Sequence, residues 1–562
     1  AAPVVVKELT PSQHEPASVL DWVPSVLTDI IDDFPGRMRW YGDLPLPETQ
    51  PQYGGRLVRS GSYGYGGSIT HWDVWRSSQA TSAGATMCYG RILTFHQDRF
   101  SKRQSIIPEN DAADSWSQIS PTVWEFKLNP EVYWHDTPPA NGRRVTAEDI
   151  KWNIEGLRDR SMYAGSFDII TDVEIVDPAT IRIHLSGNYA FLLELLASAG
   201  HSFILPEMAD VDGGWANWCY GFGPFKLVEY EAGGPWSLDK HEKYHHFGHT
   251  GLRIPYVDGV DVVNLSDTSA GYAAMTTGRI HLMTYSAIGD LRRALQANQN
   301  IEGQFMPMSP GAQYHLAINL TKAPWDDVRV RRALSMCIDR QAIIDTVYEG
   351  SAQTSGQIPF DAVGWNTFPP NNLRGKYLQL NPEAAKKLLT EAGYPDGFKT
   401  VVAMSPTSPA NMNQLETAVY HMNKNCNIDA EIDLMQYVER QSELIDRTYE
   451  SLSYGFYTPS TNWDSYTYGY MHSKSATNNF MINDPEIDRL TEAARLTTDR
   501  EAQIAYYKQV FDLEDENIYR LNLTTPYFYT TYHNFLDNVA SGTYTWITSW
   551  YSMGKSRIWF KP

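Results

Sequence analysis

The 562-residue chain has few cysteines, no long apolar run and no excess of positive charge. Its longest apolar stretch, AFLLELLASAG (190–200), contains Glu194 and is too short to cross a bilayer as a helix. The formal net charge of −20 at pH 7 argues against nucleic acid as a partner, because phosphate backbones are bound by clustered Lys and Arg. The sequence therefore predicts a soluble protein that binds neither DNA nor RNA.

Cysteine-based and catalytic motifs are also missing. Cys88, Cys219, Cys337 and Cys426 are far apart, without CxxC or zinc-type spacing, and they are compatible with zero, one or two disulfides. Cys337 lies on an apolar helix face and is predicted to be a buried thiol. There is no nucleophile elbow, HExxH or Ser/His/Asp signature, and the Gly-rich GSYGYGGS (61–68) lacks the arrangement of a phosphate loop. No catalytic residue, metal or cofactor is predicted.

The chain is long and rich in aromatic residues. A chain of this size exceeds a single hydrophobic core, so two or more lobes are expected. Aromatic residues make up 13%, with 17 Trp and 34 Tyr, which suits either stacking on a ligand or large aromatic cores. Strand and helix patterns alternate as in mixed α/β lobes. The start AAPVVVKEL predicts a mature exported protein, and hence an extracytoplasmic location.

Local patterns predict individual elements. The stretch WDDVRVRRALSMCIDRQAIIDTVYEG (325–350) has apolar residues at helical spacing, with Asp326 or Asp327 placed to cap a first helix and Asp339 a second. Its three arginines are interpreted as a solvated helix face or as ion-pair partners of these acids. The alternation in FKLVEYEAGGPWSLDK (225–240) predicts a hairpin.

Two further helix starts are predicted from capping patterns. In RVTAEDIKWNIE (144–155), Thr146 and Asp149 have the spacing of a capping box. In NPEAAKKLLTEAGYPDGF (381–398), Pro382 is predicted to occupy the first helical position.

Five stretches, taken in order, resemble successive signatures of the extracellular solute-binding protein family 5, the dipeptide, oligopeptide and nickel type that serves ABC importers. They are VYWHDTPP with RVTAEDIKWNIE, YGFGPFKLVEYEAGG, AAMTTGRIHLM, APWDDVRVRRALSMCIDRQAIIDTVYEG and NPEAAKKLLTEAGYPDGF. The resemblance implies an α/β, two-lobed periplasmic-binding-protein-like fold (type II, large cluster, with an extra subdomain in lobe 1), built of mixed sheets flanked by helices.

The resemblance also implies a domain organisation and a role. Residues 1–54 would be an N-terminal extension, 55–262 and 521–562 a discontinuous lobe 1, and 263–520 lobe 2. The crossings near Val262 and Arg520 would form a hinge that closes over the ligand. The implied protein is not an enzyme; it is a periplasmic or extracytoplasmic monomer that delivers a ligand to an ABC transporter permease.

The ligand class is predicted from a departure from the family pattern. Peptide-binding members have a W-x-x-D-x-x-D-P loop whose first Asp pairs with the α-ammonium of the peptide. The corresponding stretch here, LSYGFYTPSTNWDSYTYGY (452–470), has Pro459 or Ser460 at that position. A buried ammonium without a carboxylate is unfavourable, unless Asp464 takes that role. The sequence therefore favours a neutral ligand, an oligosaccharide or glycoside, with an oligopeptide as the alternative.

The QYGGRL segment (52–57) resembles a subgroup of large members associated with oligosaccharide uptake, which agrees with this order. The predicted ligand-binding residues are aromatic rings for stacking and polar groups beside them: Trp72, Trp75, Tyr454, Tyr457, Asn462, Trp463, Asp464 and Tyr466. The alternative interpretation is that these rings are ordinary lobe core or interlobe packing, since aromatic residues in strands are usually buried.

Two other function classes can be formulated from the sequence. KYHHFGHTG (243–251) offers His245, His246 and His249 to a metal or metal chelate, although a framework turn is the preferred interpretation. Asp326 and Asp327 could suggest the acid and base of a glycosidase. Neighbouring residues at a helix start do not face each other across a substrate, so the enzyme interpretation is disfavoured.

Overall fold

The structure is a computed structural model of the chain. It describes residues 23–40, 47–60, 72–76, 87–95, 108–265, 268–285, 287–307, 314–354, 356, 358, 362–364, 368–405, 409–456, 463–475, 477–539 and 556–562. The chain forms two compact units, a larger one mainly from Ile30–Ser309 and Phe528–Pro562 and a smaller one mainly from Pro310–Tyr457 and Trp463–Tyr527.

The main sheet of the larger unit has the strand order β1-β13-β20-β12-β2-β11-β10-β9. Its strands are β1 (Met38–Trp40), β2 (Arg56–Ser60), β9 (Phe225–Tyr230), β10 (Trp236–Lys240), β11 (Gly259–Val263), β12 (Leu282–Tyr285), β13 (Ile301–Pro307) and β20 (Thr524–His533). The strand β2 runs parallel to β11 and β12, whereas β10 is antiparallel to β9, which confirms the predicted hairpin. The sheet is therefore mixed, as predicted.

Three smaller sheets belong to the described part of the larger unit. The strands β5 (Ala113–Ser120), β6 (Val123–Leu128), β8 (Thr180–Leu185) and β7 (Ile170–Asp177) form an antiparallel sheet in that order. Two pairs are formed by β3 (Leu93–Phe95) with β4 (Pro108–Asn110) and by β21 (Leu536–Asp537) with β22 (Trp559–Phe560).

Helices α2 to α7 also belong to the larger unit, while α1 (Ser25–Asp33) begins directly after Pro24. They are α2 (Ala147–Arg160), α3 (Ala164–Phe167), α4 (Leu192–Ala197), α5 (Gly214–Asn217), α6 (Thr268–Thr276) and α7 (Ile288–Ala297), with 3₁₀ turns at Ala199–His201 and Pro206–Met208. The capping box of α2 is confirmed, because Thr146 Oγ1 accepts from the Asp149 backbone and Asp149 accepts from the Thr146 backbone.

The smaller unit is built on a five-stranded sheet of order β17-β16-β18-β14-β19. Its strands are β14 (Tyr314–Ile318), β16 (Phe398–Met404), β17 (Ile428–Leu434), β18 (Leu452–Phe456) and β19 (Arg520–Asn522). A further strand, β15 (Ala352–Thr354), pairs with Thr524–Pro526, the part of β20 that belongs to the smaller unit. The core of this sheet is apolar, with Leu316, Val402 and Leu521 fully buried.

The helices of the smaller unit are α8 (Val328–Cys337), α9 (Arg340–Val347), α10 (Pro382–Glu391), α11 (Pro409–Cys426), α12 (Tyr437–Asp446), α13 (Pro485–Leu496) and α14 (Arg500–Asn517), with 3₁₀ turns at Asn371–Leu373 and Lys376–Leu378. Asp327 caps α8 and Asp339 caps α9, as predicted. Pro382 occupies the first turn of α10, also as predicted. No helix among the described residues is long and apolar enough to cross a membrane.

The change of unit comes later than the predicted crossing near Val262. The strands β12 and β13 join the sheet of the larger unit, so the chain leaves that unit after Ser309 and returns at Phe528. Part of the predicted N-terminal extension (1–54) belongs to the main sheet, because β1 pairs in parallel with β13.

One cysteine prediction is wrong. Cys337, expected to be a buried thiol, forms a disulfide with Cys426 across a sequence separation of 89 residues. Cys337 is the last residue of α8 and Cys426 is the last residue of α11. The bond therefore joins two helix ends, and no local sequence motif indicates it. Cys88 and Cys219 are buried free thiols.

Candidate functional site

The smaller unit contains a point where the order of parallel strands reverses. The chain passes from β16 through α11 to β17 on one side of β16, and then through α12 to β18 on the other side. β16 and β18 are parallel, with Val402 opposite Leu452. In open α/β sheets, ligands bind outside the carboxyl ends of strands at such a reversal. The ends of β16 and β18 are therefore the candidate site within this unit.

Arg440 of α12 reaches these strand ends. Its Nε donates to Ser405 Oγ at 3.0 Å, and its Nη1 donates to Ser453 Oγ at 3.3 Å. Gly455 allows this approach, because a Cβ there would lie 3.0 Å from Arg440 Nη1. Arg440 is 6% exposed, so a permanent positive charge is held almost buried beside the reversal. No local sequence motif indicates this role for Arg440.

Tyr454 of β18 is one of the predicted ligand residues. Its ring stacks on Tyr314 of β14, with the centroids 5.9 Å apart and the planes at 6°. Burial raises the pKa of Tyr314 to about 12, so its phenol stays protonated at neutral pH. Tyr457 and Asn462, which were predicted as ligand residues beside Tyr454, lie outside the described residues.

The ring of Trp463 contacts other side chains of the smaller unit. It packs edge-to-face against Tyr507, with centroids 6.0 Å apart, and the Arg500 guanidinium carbon lies 3.2 Å from the centroid of the Trp463 ring. Only 5% of Trp463 is exposed. These contacts make Trp463 part of the packing of the smaller unit.

Asp464 and Tyr466 lie at the start of a π-helical turn, Ser465–Gly469. Asp464 Oδ2 accepts from Arg495 Nε at 3.0 Å, and both side chains are largely buried. The charge of Asp464 is therefore compensated within its own unit, and Asp464 is not an open partner for a ligand ammonium. Tyr466 is fully buried.

Trp72 of the larger unit is also fully buried. Its ring makes edge contacts with Tyr230 and Trp236, at centroid distances of 5.5 Å and 5.6 Å. In the part of the chain that the structure describes, its indole Nε1 has no hydrogen-bond partner. A buried donor without an acceptor is unfavourable and rare, so the state of this N–H sets Trp72 apart from most buried indoles.

Trp75, three residues further on, is satisfied. Its Nε1 donates to Ser202 O at 2.9 Å, and its ring stacks on Trp152 at 5.5 Å and contacts Trp215. Gly156 leaves room for the ring, since a Cβ there would come within 2.3 Å of it. Trp75 therefore has the contacts of a core residue. Trp72 also packs against aromatic rings, but its indole N–H has no hydrogen-bond partner among the described residues.

The predicted site residues thus fall into two groups in different units, Trp72 and Trp75 in the larger and Tyr454, Trp463, Asp464 and Tyr466 in the smaller. Arg440 and Tyr314 are not among the residues predicted from the sequence. The signal that could have identified Arg440 is its position in a helix that leads to β18, the strand beside which the order reverses.

The histidine-rich turn after β10 joins a distant aspartate. His245 Nε2 lies 2.8 Å from Asp111 Oδ1, and His246 Nε2 lies 3.5 Å from the same oxygen. Within the described ranges, these three residues form the one group of His, Cys, Asp or Glu whose ligand atoms could hold a metal ion, all lying within 4.8 Å of one another. His249, the third histidine of the sequence pattern, lies against the Trp559 ring instead.

Burial and charge set the protonation of this group. Burial alone would raise the pKa of Asp111, but the neighbouring imidazoles of His245 and His246 hold that pKa well below its usual range. Burial lowers the pKa of His246, and the neighbouring His245 lowers it further. The expected state at neutral pH is an ionised carboxylate beside a neutral His246 imidazole.

Comparison with known proteins identifies relatives. Residues 108–478 match the family of bacterial extracellular solute-binding proteins, family 5 middle. Heme-binding protein A of Haemophilus influenzae is 28% identical over 362 residues, which cover 59% of this chain and 62% of that protein. Glutathione-binding protein GsiB of Salmonella typhi is 23% identical over 371 residues, covering 65% of this chain and 67% of its own length. The chain thus spans less than two thirds of the length of the Haemophilus protein.

Solved structures share the fold. The ABC transporter-associated periplasmic binding protein DppA from Helicobacter pylori, in complex with peptide STSA, has a TM-score of 0.73 at 21% identity. The match covers 91% of this chain and 99% of that one. The predicted α/β fold of the periplasmic-binding-protein type is therefore confirmed.

Proposed function

Because this chain belongs to the bacterial extracellular solute-binding proteins of family 5, we propose that it binds an oligopeptide outside the cytoplasm. The bound peptide is delivered to the membrane permease of an ABC importer, and the protein acts as a monomer. The family consists of binding proteins and not of enzymes, in agreement with the prediction that no residue is catalytic.

The names of the relatives support a peptide ligand over an oligosaccharide. GsiB is a glutathione-binding protein and DppA is in complex with the peptide STSA, so both ligands are chains of amide-linked amino acids. Such ligands carry carboxylates and backbone carbonyl groups. Cations bind the carboxylates of such ligands strongly, and hydrogen-bond donors bind their carbonyl groups.

The positive charge of Arg440 is the observation that carries the proposal. Arg440 lies at the carboxyl ends of β16 and β18, where the strand order reverses, and its guanidinium is fixed by Ser405 and Ser453. A fixed guanidinium is well suited to bind a carboxylate through parallel hydrogen bonds. We assign to Arg440 the carboxylate of the peptide.

The positions of the aromatic rings give little support to stacking on an oligosaccharide. Trp75 packs on Trp152, Trp463 packs on Tyr507 and lies beneath Arg500, and Tyr454 packs on Tyr314. Rings that stack on a sugar must offer a face to it. Because these rings already contact other side chains of their own unit, they give less support to a glycoside than their number in the sequence suggests.

Mass spectrometry of ligand released from the denatured protein provides the first test. A thermal-shift screen of tetrapeptides, oligosaccharides and haem then tests the ligand class, because a binding protein is stabilised by its own ligand. We expect peptides to raise the Tm. A rise with oligosaccharides alone, or a haem absorption band with no response to peptides, would overturn the proposal.

The role of Arg440 is tested with one peptide in two forms. Calorimetry should show that Arg440→Gln weakens binding of the free acid by about tenfold or more, while binding of the C-terminal amide changes little. Arg489→Gln is the control, since Arg489 is exposed and paired with Glu486 in the same unit. If acid and amide lose affinity equally, Arg440 does not bind the carboxylate.

A further inference from the structure

The cluster of Asp111, His245 and His246 in the larger unit has the composition of a transition-metal site. Asp111 follows β4 directly, and the two histidines lie in the turn after β10. The ligand atoms approach a common point because both Nε2 atoms face the same carboxylate oxygen, Asp111 Oδ1. Two imidazoles and a carboxylate are ligands that zinc and nickel accept.

The two distances to Asp111 Oδ1 have different meanings. At 2.8 Å, His245 Nε2 forms an ordinary hydrogen bond with the carboxylate. At 3.5 Å, His246 Nε2 is too far for a good hydrogen bond, and it has no hydrogen-bond partner among the residues that the structure describes. Ligand atoms about 2.0–2.1 Å from a tetrahedral ion are about 3.4 Å apart. The spacing between His246 and Asp111 is thus closer to that of two metal ligands than to that of a hydrogen-bonded pair.

The surroundings of Asp111 hold its carboxylate in place. The Arg91 backbone N–H donates to Asp111 Oδ2 at 2.8 Å, which leaves Oδ1 directed at the histidines. Such hydrogen bonds from outside the ligand set orient ligating carboxylates in metal sites. The side chains of Asp111 and His245 are 2% and 3% exposed and that of His246 is 13% exposed, so His246 is the ligand nearest to solvent.

We propose that Asp111, His245 and His246 bind one divalent transition-metal ion, with Zn²⁺ and Ni²⁺ as the matching ions. Asp111 supplies Oδ1, and each histidine supplies its Nε2 atom. The proton that His245 Nε2 shares with Asp111 must leave before this nitrogen can bind the metal. Solvent supplies the remaining ligand. His249 is not part of the site, because its ring lies against Trp559. Ca²⁺ and Mg²⁺ are excluded, since they prefer all-oxygen ligand sets.

The site is independent of the proposed peptide function, because all three ligands lie in the larger unit and Arg440 lies in the smaller one. The chelator-treated full chain is titrated by calorimetry with ZnCl₂ and with NiCl₂, and separately with CaCl₂. We expect the wild-type protein to bind one equivalent of Zn²⁺ or Ni²⁺ and to show no saturable binding of Ca²⁺.

Single substitutions assign the ligands. His246→Ala and Asp111→Asn should each weaken Zn²⁺ binding at least about tenfold, and the exposed His249→Ala should leave binding unchanged. Circular dichroism shows whether each variant is folded. Co²⁺ gives a second readout, because its visible absorption depends on the bound ligands and should change in His246→Ala.

Chemical labelling tests the site in the wild-type protein, so the result does not depend on whether a variant folds. Zn²⁺ should protect His246 from diethylpyrocarbonate, as measured by mass spectrometry of peptides, and it should leave His249 reactive. The proposal is overturned if the wild-type chain binds no equivalent of Zn²⁺ or Ni²⁺. Protection of His249 with continued labelling of His246 would equally place the ion elsewhere.

Discussion

Asp464 and Arg495 form an ion pair in the smaller unit, with 3.0 Å between Asp464 Oδ2 and Arg495 Nε. Their side chains are 5% and 14% exposed, so the pair is largely removed from water. Removing one member of a buried pair leaves an uncompensated charge, which destabilises proteins by about 3–5 kcal/mol. The relationship links a residue predicted to bind ligand to the stability of its own unit.

We therefore expect Asp464→Asn to lower the free energy of unfolding by about 3 kcal/mol and to leave ligand affinity unchanged in the folded protein. The double variant Asp464→Asn/Arg495→Met should recover part of the loss, since it removes both charges. Urea unfolding and calorimetry with the co-purified ligand measure the two effects separately. A large loss of affinity with full stability would return Asp464 to the ligand site.

Trp72 and Trp75 form a matched pair for testing the indole N–H. Trp72→Phe removes a buried donor that has no acceptor among the described residues, whereas Trp75→Phe breaks the hydrogen bond to Ser202 O. Both changes remove similar ring volume. We expect Trp75→Phe to be the more destabilising by about 1–2 kcal/mol, because it leaves a buried carbonyl group unsatisfied.

Ligand affinity should show the opposite order. Trp72→Phe is expected to weaken binding by about tenfold, since a ligand acceptor would lose its donor, and Trp75→Phe is expected to have no effect. Thermal unfolding and calorimetry on the two variants provide the measurements. Equal affinities with the order of stabilities reversed would exclude Trp72 from ligand binding.

The features that the sequence predicted well are those decided within a few residues. The Thr146–Asp149 capping box, the caps Asp327 and Asp339 and the first-turn position of Pro382 depend on local hydrogen bonds and backbone preference. Such interactions need no knowledge of sheet order.

The features that were missed depend on distant partners. Asp111 and His245 are 134 residues apart, and the Asp464–Arg495 pair spans 31 residues. The position at which the chain changes unit depends on β12 and β13 pairing in the larger sheet. Aromatic residues at 454 and 463 indicate burial and ligand stacking equally well, so hydrogen-bond partners decide between these uses and composition does not.

Buried histidines make the protein sensitive to acid. Burial lowers the pKa of His201 to about 4, and its Nδ1–H donates to Leu195 O at 2.6 Å. The unfolded chain has a His pKa of about 6.5, so it binds more protons than the folded chain between pH 6.5 and 4. Stability from this group is complete above pH 6.5 and is lost as the pH falls towards 4, by about 3 kcal/mol.

Urea unfolding at pH 7, 5.5 and 4.5 should show this dependence, with a smaller slope for His201→Asn, whose amide can replace the Nδ1 donor. His135 offers an independent repeat, because burial also lowers its pKa to about 4. His135→Asn should reduce the slope by a similar amount. An acid sensitivity identical in wild type and both variants would show that other groups control it.

The Cys337–Cys426 disulfide joins the ends of α8 and α11 and closes a loop across 89 residues. Cross-linking so long a loop lowers the conformational entropy of the unfolded chain. In the chain-entropy account this raises the free energy of the unfolded state by about 4–5 kcal/mol. Because both cysteines lie in the smaller unit, their loss should destabilise that unit in particular. The Cys337→Ala/Cys426→Ala variant is expected to unfold at a lower urea concentration than the oxidised wild-type protein.

Thiol titration separates this pairing from other pairings. The wild-type protein, unfolded without reductant, should react at two thiols, Cys88 and Cys219, and at four after reduction. The Cys337→Ala/Cys426→Ala variant should react at the same two thiols under both conditions, since it has no bond left to reduce. Dithiothreitol should therefore lower the stability of the wild-type protein and leave that of the variant unchanged. A wild-type chain with four reactive thiols before reduction would show that the helix ends are held by packing alone, and the stability of the smaller unit would then be independent of its redox state.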